Sequence, residues 1–188
     1  MANQGKREVD QLLADSFKEL ACQNPIEKIT VKEITDRAGV IRPTFYNHFQ
    51  DKYELLEWII NRDLIEPVRP FIRSGLMTQA MTFLFINIEK EKNFYLKVSR
   101  LDGQNSFYSI AQNCIQVLFE EVCGEHRKRR QPKYEWLTPK RLAQYYGQSM
   151  VFVLIEWIQS GMTISAEDLA ELYQYMISHS LEDSLKDL

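Results

Sequence analysis

Apolar side chains recur at three- and four-residue intervals along nearly the whole chain, the spacing that lines one face of a helix. Residues 4–23 carry Val9, Leu12, Leu13, Ser16, Phe17 and Leu20 in one stripe, and Asn24-Pro25 stops it. After Asp51, a residue suited to capping, Leu55, Leu56, Ile59, Ile60 and Leu64 predict a helix to about Glu66, with Trp58 widening its apolar surface. Pro67 and Pro70 are expected to break or bend the chain, and Ser74-Gly75 to prolong the interruption. Residues 76–101 read as two helices parted near Lys90-Glu91-Lys92-Asn93, and 102–106 as a turn. A helix over 107–122 is apolar on more than one face and is therefore expected to be central. Thr138 with Pro139 opens the next helix, to about Gln159. Ser165 opens the last, whose stripe is Leu169, Leu172, Tyr173, Met176, Ile177 and Leu181. Seven glycines and six prolines, among many Leu, Ile, Glu and Lys, favour helices over a turn-rich β fold. The predicted class is all-α.

One stretch, Thr30 to Lys52, has a different texture. Thr30 and Glu33 stand at capping-box spacing, and Gly39 in Ala38-Gly39-Val40 can take the positive φ of a tight turn. Pro43 suits the start of the following helix. Phe45 and Phe49, four residues apart, share a face that must be buried, which leaves Arg42, Thr44, Tyr46, Asn47 and His48 to face outward. A short helix with an aromatic inner face and a hydrogen-bonding outer face is what a DNA recognition helix requires. The first helix should pack across this pair and close a small core with Ile29, Ile34, Phe45 and Phe49. The expected division is a helix-turn-helix head over residues 1–52 and a larger helical body over 53–188.

Charge limits this reading to a small surface. The formal net charge of the 188 residues is −3, and up to Lys52 acids match bases in number. Charge acts on DNA over a Debye length of about 8–10 Å, so the local face decides, and Lys32, Arg42 and Lys52 are expected to share one with few carboxylates. The most basic run, His126 to Lys133, is expected to be a solvated loop. Cys22, Cys114 and Cys123 are odd in number and widely spaced, as reduced packing residues are. The three histidines have no metal-ligand spacing, so neither a metal nor another cofactor is expected. No nucleophile elbow, phosphate loop or paired-carboxylate constellation supports an enzyme. No apolar run approaches the roughly 18 residues of a membrane span, and a soluble cytoplasmic protein is expected.

Val31 to Lys52 resembles the N-terminal signature of the TetR family of bacterial transcriptional regulators, through Ile34, Ala38-Gly39-Val40, Pro43-Thr44-Phe45-Tyr46, His48-Phe49 and Lys52. Glu156 to Gly161 and Ser165 to Leu169 are similar to a C-terminal type common in Firmicutes, a group that includes regulators of dihydroxyacetone kinase operons. The resemblance implies a homodimer, paired through its last two helices, that sets one recognition helix per subunit into a near-palindromic double-stranded DNA operator. It implies phosphate and register contacts at Thr44, Tyr46, His48 and Lys52, and packing of Pro43 on thymine methyls. Arg42, Asn47 and Lys32 have the chemistry to read base edges. Ile41 departs from the family's small capping residue and Thr35 from its usual alanine. A small-molecule effector is further implied, with Phe83, Phe94, Tyr95, Tyr108, Phe119, Tyr145 and Phe152 as candidate pocket walls. The competing expectation is a co-regulator that acts through a protein partner.

Overall fold

The computed structural model describes residues 2–127 and 134–186, and among these every regular element is helical. Helix α1 (Ala2–Gln23) is followed by a single 3-10 turn (Ile26–Lys28), α2 (Val31–Ala38) and the short α3 (Arg42–Tyr46). Then come α4 (Lys52–Ile60), a π-helical turn (Asn61–Ile65), α5 (Glu66–Arg73), α6 (Met77–Lys90) and α7 (Lys92–Val98). Two long helices, α8 (Phe107–Arg127) and α9 (Pro139–Gln159), precede α10 (Ala166–Ser178) and the one-turn α11 (Leu181–Ser184).

The head is built as its local chemistry dictates. Thr30 accepts the Glu33 backbone N–H while the Glu33 carboxylate takes the Thr30 N–H, closing the capping box, and Gly39 ends α2 at φ +70°. Leu13, Ala14 and Phe17 of α1 meet Ile34, Phe45 and Phe49, all of them buried. Thr35 is buried without cost, because its hydroxyl donates to the Lys32 carbonyl at 3.0 Å. The buried core then runs unbroken across position 52, through Leu55, Leu56 and Ile59 of α4 and on to Tyr173 of α10. At the junction Phe17 meets Phe94 of α7 edge-on, with ring centres 6.4 Å apart.

Three expectations are corrected. The helix begun at Lys52 does not end near Glu66: of the expected break or bend at Pro67 and Pro70 there is no break, and the chain stays helical to Arg73 through an irregular turn over Asn61–Ile65. Proline has no N–H to close a normal turn, and its ring collides with the carbonyl four residues back. A widened turn just ahead, in which Glu66 N–H reaches the Asn61 carbonyl, makes room for Pro67. The helix over 107–122 runs on to Arg127 and is not buried all round, since Val117 and Tyr108 face outward. The last stripe stops at Ser178: His179 is extended, Ser180 caps α11, and Leu181 is exposed. Residues 128–133 of the basic run lie outside the described residues.

The cysteines are free, and burial pushes the Cys114 thiol up to about 12, which keeps it from acting as a thiolate. Among the described residues no cluster of metal-binding side chains is present, and no helix is long and apolar enough to cross a membrane.

Candidate nucleic-acid interface

Helix α3 is only five residues long and owes its position to its aromatic side. Phe45 is fully buried, edge-on to Tyr46 and 5.9 Å from Phe49, which in turn meets Trp58 of α4. With that face pinned, Arg42, Pro43, Tyr46 and Asn47 are left exposed and Thr44 half-buried. Arg42 folds back on Tyr46: its Nη2 donates to the tyrosine hydroxyl at 3.0 Å, and the guanidinium sits 5.5 Å from the ring centre. The pairing spans one turn and presents cation and phenol as a unit. Ile41, at the N-cap position, supplies no side-chain cap and is one of the most exposed apolar residues of the chain.

Three of the expected contact residues are engaged elsewhere. Lys52 does not project outward: its Nζ donates to the carbonyls of Ile26, Glu27 and Ile29, each at 2.8 Å. An ammonium has three N–H donors, so all are used, and burial pulls its pKa below the ordinary lysine value. Lys52 therefore ties the start of α4 to the turn before α2. Lys52→Met should cost about 1–3 kcal/mol, the usual penalty for carbonyls stripped of a charged donor, and a lowered melting temperature will report it. Lys32 remains on the outer face of α2 but is paired with Asp36 one turn on, 2.5 Å away. His48 turns inward, its Nδ1 2.6 Å from Oδ1 of Asp10 on α1. The shared basic face of Lys32, Arg42 and Lys52 is thus reduced to Arg42, with Lys32 partly neutralised.

Asp10 itself was not among the expected site residues. Its sequence signal is an acid on the inner stripe of α1, three and four residues before the buried Leu13 and Ala14, where an apolar residue would normally stand.

The aromatic residues expected to wall a pocket do not converge. Phe94 and Tyr95 are buried at the junction between head and body, and Tyr95 faces Phe107. Phe83 is half-buried against Phe71, with ring centres 5.8 Å apart. Tyr108, Tyr145 and Phe152 are exposed. Of them Phe119 alone lines an apolar cavity of about 30 Å³ found among the described residues between α5, α6, α8 and α9. Its other walls include Val68, Ile72, Met77, Met81, Leu118 and Met150. Helical spacing showed that these aromatics recur, but not which way each helix faces its neighbours.

Known proteins give the arrangement its setting. A family model described as bacterial regulatory proteins, tetR family, matches residues 15–59, and one described as transcriptional regulator C-terminal region matches residues 77–179, more than half of the chain. The chain belongs to the TetR family. This TetR-family protein is 24% identical over 168 residues to the HTH-type dhaKLM operon transcriptional activator DhaS of Lactococcus lactis subsp. lactis strain IL1403, covering 89% of this chain and 86% of that one. The solved dihydroxyacetone kinase operon activator DhaS superposes with a TM-score of 0.64 at 23% identity, over 89% of this chain and 93% of the other. A TetR regulator from Streptococcus agalactiae 2603V superposes at 0.62 with 20% identity, over 94% and 97%. The protein is therefore a transcriptional regulator with a helix-turn-helix DNA-binding head, and its family and relatives are regulators rather than enzymes.

Proposed function

We propose that this regulator binds a near-palindromic operator as a homodimer, with α3 of each subunit in successive major grooves about 34–36 Å apart or somewhat more. The observation that carries this reading is the split of α3. Phe45 and Phe49 anchor it, while Arg42, Pro43, Tyr46 and Asn47 stand exposed together. Arg42 suits guanine and Asn47 adenine; Pro43 and the exposed Ile41 suit thymine methyls. Thr44 and Tyr46 suit phosphates. In functional terms residues 1–52 form the reading head and 53–188 the body.

Dimerisation through α9 and α10 is supported by their outer faces. Helix α9 buries Met150, Val151, Leu154 and Trp157 in its own subunit yet leaves Tyr145 and Phe152 outside, and α10 leaves Leu172 and Met176 outside. An uncovered apolar face of this kind is the usual mark of an interface.

A small apolar effector is supported by the cavity below α5. With room for roughly two water-sized spheres it must open to admit a ligand, and Met77, Met81 and Met150 in its walls repack easily. Such a ligand shifts DNA affinity only by favouring one head spacing over another. The small volume also favours a second reading, in which a protein partner supplies the regulation.

The test is a gel shift with the purified protein and the DNA upstream of its own gene, across salt concentrations. Arg42→Ala is expected to weaken the specific complex about tenfold to a hundredfold while leaving the melting temperature unchanged. Absence of any specific complex with the unsubstituted protein at low salt would falsify direct operator binding. A reporter fused to the bound sequence separates activation, the role named for the Lactococcus relative, from repression.

A further inference from the structure

Asp10 is, among the described residues, the only charged residue in the buried set, with 7% of its surface exposed. A carboxylate taken out of water costs several kcal/mol unless paired, and a buried ion pair is seldom more stable than well-packed apolar side chains of the same volume. Asp10 has one partner among the described residues, the Nδ1 of His48 at 2.6 Å. Core stability therefore does not explain why an acid occupies this position. Orientation of the imidazole does.

His48 is fixed from two sides. Its backbone N–H donates to the Phe45 carbonyl at 2.9 Å as the chain leaves α3, and its ring rests against Phe49. The carboxylate from α1 engages Nδ1 and leaves Nε2 as the ring's unused hydrogen-bonding atom. We propose that Asp10 is a positioning residue for DNA binding. It holds the His48 ring so that Nε2 donates to an operator phosphate, the contact for which Lys52 has no donor left. This inference rests on the operator-binding reading above.

With carboxylate oxygen on one edge and phosphate oxygen on the other, the ring is held between two acceptors. Among the described residues, Asp10 is the charged group that pairs with the ring. Lys6 and Arg7 lie one turn earlier on α1, Arg42 is turned onto Tyr46, Asp51 caps α4, and Lys52 is held by carbonyls.

The experiment measures operator affinity by fluorescence anisotropy as a function of salt for the unsubstituted protein, Asp10→Ala, Asp10→Asn, His48→Ala and the Asp10→Ala/His48→Ala pair. Each phosphate contact contributes about 0.9 to the slope of log affinity against log salt. Asp10→Ala and His48→Ala are each expected to lower affinity about tenfold and the slope by about one, and the double variant to lose no more than either single one. Asp10→Asn, which keeps an acceptor for Nδ1–H, should retain most of the slope, and Asp10→Leu, which fills the site without an acceptor, serves if Asp10→Ala fails to fold. An unchanged salt slope in Asp10→Ala or Asp10→Leu, or additive losses in the double variant, overturns the proposal. Loss of all specific binding by the unsubstituted protein overturns instead the reading on which it rests.

Discussion

A protein carrying both Tyr145→Glu and Phe152→Glu is expected to sediment as a monomer and to bind operator DNA roughly a hundredfold or more weakly, because the second half-site contact no longer follows from the first. The two positions lie seven residues apart on α9, hence on one face, and are 69% and 61% exposed in the single subunit. Leu172 and Met176 on α10 are exposed as well and give that apolar surface a second helix. Covering such side chains stabilises an assembly by about 25 cal/mol per Å² of apolar area removed from water. Two glutamates per subunit replace that gain with four carboxylates facing one another without partners. The subunit core is untouched, because the inner face of α9 is made by Val151, Leu154 and Trp157. Helical content and the unfolding transition of the monomer should therefore persist. A dimer that survives both substitutions at micromolar concentration would place the interface on another face.

Lys18→Met should produce the largest loss of stability, about 3–5 kcal/mol, or a fall in melting temperature of roughly 10 °C for a chain of this size. Lys18 stands on α1 with its side chain 15% exposed. Its Nζ is 2.8 Å from Asp63 in the π-helical turn and 2.6 Å from Oε1 of Glu91 between α6 and α7. One ammonium thus joins the head to two separate elements of the body, and removing it leaves two half-buried carboxylates short of a partner. Arg62 also pairs with Asp63 and reaches Gln11 of α1 at 2.6 Å, which keeps part of the network in place. Burial alone would raise the pKa of Asp63. Hydrogen bonds from Arg62 and Lys18 outweigh it and hold the group below the usual carboxylate value. A carboxylate whose pKa is lowered by folding stabilises the folded state above its unfolded pKa, and that contribution is lost as pH falls through the lowered value. Thermal melts between neutral pH and about pH 3 should show Lys18→Met losing stability at higher pH than the unsubstituted protein. Superimposable acid limbs would show that Arg62 alone sets the titration of Asp63.

Local chemistry determined the elements of this protein. The capping box at Thr30 and Glu33, the positive φ of Gly39, and the caps at Asp51, Thr138 and Ser165 act within one turn of chain and were legible from residue type and spacing. The inward pairing of Phe45 and Phe49 follows from period alone, and with it the exposure of Arg42, Tyr46 and Asn47, whereas Thr44 is half-buried and His48 turns in to Asp10. The continuous helix through Pro67 was not legible. Its widened turn is held in a packed setting, with Leu64, Ile65 and Val68 all buried. Tertiary structure alone decided what the polar side chains do. Lys52 meets carbonyls 23 to 26 residues away, His48 meets an acid 38 residues away, and Lys18 meets Asp63 and Glu91 across the junction. The aromatic residues followed the same rule: Tyr145 and Phe152 face outward while Phe94 and Tyr95 fill the core. Helical period fixes which residues share a face. It carries no information about which distant element that face will meet, and a hydrogen bond or a cavity exists only once two such faces have been brought together.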